Sequence, residues 1–226
     1  MISTRCFLPA WSRAEYKREC PKPNGCIIEE EGVLRQTIFL GKEDLRRKIT
    51  MESTLNDLKN RRSIRSYKPE QIKEEELQKI LEAGTYAPTG MGKQSPKIVA
   101  VQDKETRDLL SRLNAKYFPG ASEGMDPFYG APTVLVVLAS KERPTCVEDG
   151  SLVMGNLMNA AYAVGVGSCW IHRAREVFDS PEGKELLGKW GIEGDYIGVG
   201  HCILGYPEGD APAAKPRKDD YVVYVR

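Results

Sequence analysis

The chain has 226 residues, enough for one domain with a sizeable core or one domain with an appendage. Its 33 Lys and Arg balance 32 Asp and Glu with no block of like charge, so the basic excess of a nucleic-acid-binding protein is absent and no such partner is expected. No apolar run reaches the roughly 18 residues of a spanning helix, and Met1–Ala10 lacks the charged and apolar regions of a signal peptide; the expectation is a cytoplasmic protein without membrane contact.

In chain order, residues 1–50 differ in character from the rest. They hold Cys6, Cys20 and Cys26, a Pro-Lys-Pro-Asn-Gly turn at 21–25 and a possible short strand at Gln36–Leu40, without sustained periodicity. The cysteine spacing is not C-x-x-C and no His lies nearby, so an extension or arm is favoured over a metal-binding stub. The chain therefore divides into an extension, 1–50, and a domain, 51–226. Cys146, Cys169 and Cys202 are widely spaced in a chain able to bury its own core, which reads as reduced thiols.

Ser53–Asn60 reads as a helix with Ser53 as a possible N-cap, and Pro69 breaks the chain after it. Ile72–Ala83 has apolar residues at helical spacing, with Gly84 as its natural stop. A strand is expected at Lys97–Val101 and an amphipathic helix at Lys104–Lys116. Thr133–Ala139 is apolar at consecutive positions, the pattern of a strand buried on both faces. Asp149–Gly165 has so little polar face that a helix there must be buried nearly all round, which points to a second subunit. Pro181–Trp190 follows as a helix, Ile197–Leu204 as a strand, and Tyr221–Val225 as a final strand that pairs with its own sheet or reaches a partner.

Four stretches carry candidate chemistry. Arg61-Arg62-Ser63-Ile64-Arg65-Ser66-Tyr67 sets three guanidiniums and two hydroxyls within seven residues, a composition suited to gripping phosphate. A solvated basic patch favoured by a helix C-terminus is the simpler reading of the same residues. A second basic cluster, Lys215-Pro216-Arg217-Lys218, follows a Gly/Pro-rich segment, and the two clusters could share one phosphate. Between them lie the loop Ala87–Pro96 and the run Gly165–His172. Other constellations fail. Gly165-Val166-Gly167 lacks the third glycine of a dinucleotide fingerprint, no G-x-S-x-G or Walker sequence occurs, and two histidines, His172 and His201, leave little for a metal site or a triad.

These pieces in this order resemble the nitroreductase-like family of FMN-dependent oxidoreductases over roughly Leu55 to Arg226. The resemblance implies an α+β fold, a central mixed sheet flanked by helices, and an intertwined homodimer with FMN at each end of the interface. It places Arg61, Arg62, Ser63 and Arg65 on the phosphate, ribityl chain and pyrimidine side of the flavin, with Lys215 and Arg217 closing over the phosphate. Gln94 would reach the cofactor across the dimer interface, and Trp170, Ile171 and His172, in the run Cys169–His172 at the end of the buried helix, would set backbone groups against the ring. Asn114 is a candidate hydrogen-bond partner of the pyrimidine, with helix C-cap as its other reading. Where many relatives read Asn-x-Gln-Pro-Trp, this chain has Gly92-Lys93-Gln94-Ser95-Pro96, which reshapes the substrate pocket. The implied activity is ping-pong transfer from NAD(P)H to a nitroaromatic, quinone or similar electron-poor acceptor, with no dedicated catalytic residue. Flavin fragmentation, dehalogenation and non-catalytic FMN storage are the alternatives.

Overall fold

Four runs become strands, two of them rich in β-branched residues, and the runs between them become helices that cover both faces of the resulting sheet. The computed structural model describes residues 53–226, within the unit Met51–Arg226; the expectations for residues 1–50 lie outside the described residues, and Ser53, expected as a cap, is itself helical. Helix α1 occupies 53–60 and is exposed along most of its length. It is followed by α2 (Glu74–Thr85), β1 (Pro96–Val101), α3 (Lys104–Lys116), β2 (Thr133–Ser140) and α4 (Cys146–Ala163). The chain continues through β3 (Gly167–Ile171), α5 (Ala174–Asp179), α6 (Pro181–Lys189) and β4 (Tyr196–Gly205). No helix among the described residues is long and apolar enough to cross a membrane.

The sheet order is β1-β2-β4-β3. All three ladders are antiparallel, with Val136 opposite His201 and Trp170 opposite Cys202. The mixed character expected of the sheet is confined to one parallel bridge, Ser63 to Ser168. Strand β2 is central, so its consecutive apolar residues serve two cores in turn. Val134, Val136 and Leu138 face Leu110 and Leu113 of α3 with Val177 and Phe178 of α5. Leu135, Val137 and Ala139 face Leu77 and Ile80 of α2 with Met154 and Leu157 of α4. Each such aliphatic side chain contributes about 1.5–3 kcal/mol on full burial, which fixes the register of the sheet.

Helix starts follow ordinary capping chemistry where the signals are strong. Asp103 accepts a hydrogen bond from the Thr106 N–H at 2.8 Å, and Ser180 accepts from Gly183 with Pro181 in the first turn behind it. Gly84 does not stop α2. It lies inside the helix where a Cβ would stand 2.6 Å from Leu157 Cδ2 and 2.9 Å from Ile98 Cδ1, so its smallness lets α2 press on α4. Gly84→Ala is expected to destabilise by about 1 kcal/mol, overpacking partly offset by better helix propensity; an unchanged urea midpoint would contradict that reading.

Tyr221–Val225 does not pair with its own sheet: Asp219–Tyr221 forms a 3-10 turn, and the residues after it are exposed without a ladder partner among the described residues. Within the single chain helix α4 is buried on one face, through Val153, Met154, Leu157 and Ala161, and the all-round burial expected of it is left to a second subunit. Its other side leaves Val147, Leu152 and Tyr162 exposed.

Candidate functional site

The Arg61–Tyr67 segment is stitched to the sheet edge by its backbone. Ile64 N–H donates to Ser168 O at 3.0 Å, Lys68 N–H to Tyr206 O at 2.9 Å, and Glu208 N–H to Ser66 O at 3.0 Å. Ile64 and Tyr67 turn inward and are buried, and the Tyr67 hydroxyl donates to Ile64 O at 2.7 Å. Burial, with the Cys169 and Cys202 thiols nearby, pushes the Tyr67 phenol far above its usual range. With those two side chains as anchors, Arg61, Arg62 and Ser63 line an open cleft of about 820 Å³ together with Lys59, Lys215 and Arg217.

The cleft thus joins the two basic clusters, and no carboxylate lines it among the described residues. Arg61 Nη1 is buried and has no hydrogen-bond partner, an unusual state for a guanidinium. Arg62 differs: its Nη1 donates at 2.8 Å to Lys59 O and Arg61 O, closing the carbonyl end of α1. The helix-end reading of the motif therefore holds for Arg62. Arg217 folds back on its own arm, donating to Lys215 O at 2.7 Å.

A second cavity of about 230 Å³ gathers Arg65, Asn114, Trp170, Ile171 and His172. The last three do not end the buried helix, as the apolar pattern suggested. Trp170 and Ile171 belong to edge strand β3, which pairs with β4, and His172 follows it, exposed. Asn114 is not a helix cap either: α3 continues past it, and its side chain is nearly fully buried. Its Nδ2 donates to His172 O at 2.7 Å and lies 3.3 Å from His201 Nδ1, tying the end of β3 to α3. Asn114 Oδ1 and His201 Nε2 remain buried without partners. Burial drops the His201 imidazole to a pKa of about 4.

Gln94 stands apart. Within this chain it lines a third cavity, about 320 Å³, with Thr89, Leu81, Ile98 and Val153. Its backbone is left-handed (φ 51°), and its N–H donates to Thr89 Oγ1 at 2.9 Å. The loop around it is tied down by Asp149, a buried carboxylate of α4. Asp149 accepts from Gly90 N–H at 2.9 Å, Thr145 Oγ1 at 3.2 Å and Ser95 Oγ at 3.3 Å. Hydropathy gives no sign that this aspartate points inward.

Sequence reasoning also passed over Phe118, Met125, Pro127, Tyr129 and Arg173, which complete the second cavity. The one available signal was three aromatic residues after Tyr117 in the Gly/Pro-rich stretch 117–132. Cys169 is buried, and burial raises its thiol against the pull of Arg65, Ser63 and Arg61. That disfavours the thiolate, the form a nucleophile needs.

An antiparallel sheet sandwiched by helices, with a cationic cleft and an aromatic cavity both reached from one backbone segment, defines a protein built for a phosphorylated, planar ligand. The nitroreductase family model matches residues 58–206, and the chain belongs to that family. It is 30% identical to an NADPH-flavin oxidoreductase of Vibrio harveyi, over 76% of this chain and 73% of that one. It is 26% identical to an FMN reductase [NAD(P)H] of Bacillus subtilis, over 74% and 70%. A crystal structure of a nitroreductase with bound FMN from Bacteroides fragilis superposes with a TM-score of 0.71 at 29% identity, covering 76% of this chain and 98% of that chain.

Proposed function

We propose that the protein is an FMN-dependent oxidoreductase that takes hydride from NAD(P)H and passes the electrons to a nitroaromatic, quinone or similar electron-poor acceptor. The observation that carries this reading is the buried, unpartnered Arg61 Nη1 in a cleft lined by five cationic side chains. A buried guanidinium donor without an acceptor is costly, and a phosphate ester is the acceptor its fork geometry suits. Arg61, Ser63, Lys215 and Arg217 hold the FMN phosphate, with Arg62 adding charge from the helix end. Arg65 and Asn114 serve the polar edge of the ring, and Trp170, Ile171 and His172 form its bed. FMN, when bound, supplies the two-electron chemistry.

The chain's own part is to bind and orient. No side chain is assigned proton transfer, because His172 is exposed and solvent can supply protons there. Nicotinamide and acceptor use the same open cavity in turn, which makes the kinetics ping-pong.

The protein acts as a cytoplasmic homodimer in this reading. The exposed apolar stripe of α4 and the exposed arm from residue 211 onward support it, as does Gln94, which needs a second subunit to reach a flavin. Purified protein given FMN is expected to show a bound-flavin spectrum, to be bleached by NADH or NADPH, and to elute as a dimer. Protein that neither retains flavin nor is reduced ends the proposal.

A further inference from the structure

We infer that the loop at residues 117–131, between α3 and β2, is the wall of the second cavity that selects planar aromatic acceptors, and that Asp126 is the positioning residue that holds it. The inference rests on the functional reading above and adds to it the part of the chain that meets the acceptor. Phe118 and Tyr129 bring two large aromatic rings to that cavity, 44% and 42% exposed. Rings left open at a cavity rim, beside Trp170, offer stacking faces to a flat ligand and contribute little to the core.

The loop is not held uniformly. Asp126 collects four donors: Arg107 Nη2 at 2.5 Å, Ser111 Oγ at 2.6 Å, Gly130 N–H at 2.7 Å and Phe128 N–H at 3.0 Å. Arg107 Nε also donates to Ala131 O at 3.0 Å. Phe128, fully buried, stands 5.5 Å from the Arg107 guanidinium and 5.2 Å from the His201 ring. Although burial works against it, these donors keep the Asp126 carboxyl below its usual range.

Between Phe128 and Gly130, Tyr129 is forced into left-handed backbone at φ 52°. A non-glycine residue stays there only when its surroundings over-determine it, and such strain concentrates at ligand-facing positions. The preceding residues, Pro119–Gly124, are exposed, and their backbone makes only local turns. One end of the loop is therefore rigid and presents Tyr129, while the other is open to proteases at Glu123.

The test compares wild type with Tyr129→Leu, Phe118→Leu and Asp126→Asn. Menadione, a planar quinone, and ferricyanide, a compact acceptor without a ring, are the two substrates. Tyr129→Leu is expected to lower the menadione-to-ferricyanide ratio of kcat/KM about fivefold, chiefly through KM, and Phe118→Leu to lower it less. Asp126→Asn is expected to lower the same ratio and, in FMN-free protein, to speed cleavage after Glu123 by a Glu-specific protease about tenfold. Tyr129→Leu leaves that cleavage rate alone. Ser111→Ala, which removes one of the four donors, gives the same pattern more weakly and stands in if Asp126→Asn does not fold. A ratio unmoved in Tyr129→Leu and Asp126→Asn, in protein that takes up and reduces FMN normally, overturns the inference and leaves the functional reading intact. Faster cleavage with an unmoved ratio makes Asp126 a structural residue only and overturns its positioning role. Wild-type protein that takes up no FMN overturns both.

Discussion

Arg61→Ala is expected to weaken FMN binding about a hundredfold, equivalent to about 2.7 kcal/mol, while the FMN-free protein melts no earlier than wild type. Both halves follow from one atom. Arg61 Nη1 is buried without a partner, so in the empty protein the guanidinium bears a desolvation cost that nothing offsets. A phosphate oxygen would supply the missing acceptor through a charge-assisted hydrogen bond, typically worth about 1.5–3 kcal/mol. Arg62→Ala should behave in the opposite way. Its Nη1 already closes the end of α1 through Lys59 O and Arg61 O, so it costs about 0.5–1 kcal/mol of stability and a smaller share of affinity. Isothermal titration with FMN and thermal melts of both variants decide the matter. Equal losses of affinity, or a lower melting temperature for Arg61→Ala, would show that Arg61 is an ordinary structural arginine.

The second large effect is on stability against pH. His201 is fully buried between Phe128 and Phe178, and burial drops its pKa from 6.5 to about 4. The unfolded chain then binds a proton at His201 across a range where the folded one does not. Stability is therefore complete above pH 6.5 and declines as the pH falls toward 4, by about 3 kcal/mol from this residue alone. Carboxylates held low in the folded state, such as Asp126, lose their contribution only further down, so the histidine window stands clear of theirs. Urea titrations at intervals from pH 7 to pH 4 should show the decline in wild type and a much flatter line in His201→Leu. That variant keeps the volume, removes the orphaned Nε2, and leaves Asn114 its bond to His172 O. Parallel curves for the two proteins would mean that His201 is protonated in the fold.

How much of this was legible beforehand depended on which residues carried the signal. Lys104–Lys116 was read to its ends because Asp103 caps it and charges punctuate its leucines, and Thr133–Ala139 to within one residue because a strand covered on both faces needs no alternation. Helix α5 was missed. It is six residues long and opens on Arg173 in left-handed backbone, a start no propensity scale marks. The Cys169–His172 run was assigned to the wrong element because its apolar character continues that of α4, and only the turn at Val164–Val166 separates them. The meeting of Arg61 with Lys215 and Arg217 was expected from family likeness, since nothing local brings residues so distant in sequence into one cleft. Asp126 and Asp149 were beyond reach for a different reason. An inward polar side chain is specified by the backbone donors and acceptors waiting for it, and those exist only once the fold is assembled.

The basic cleft has unequal sides. Arg61 and Ser63 sit on a segment pinned to β3, whereas Lys215 and Arg217 ride on an arm exposed along every residue from 211 onward. An anion between them is gripped by one fixed jaw and one that must surrender its own freedom to close. The tightness of that grip is accordingly a property of the empty arm as much as of the contacts it makes, and stiffening residues 209–214 would tighten it without touching the ligand.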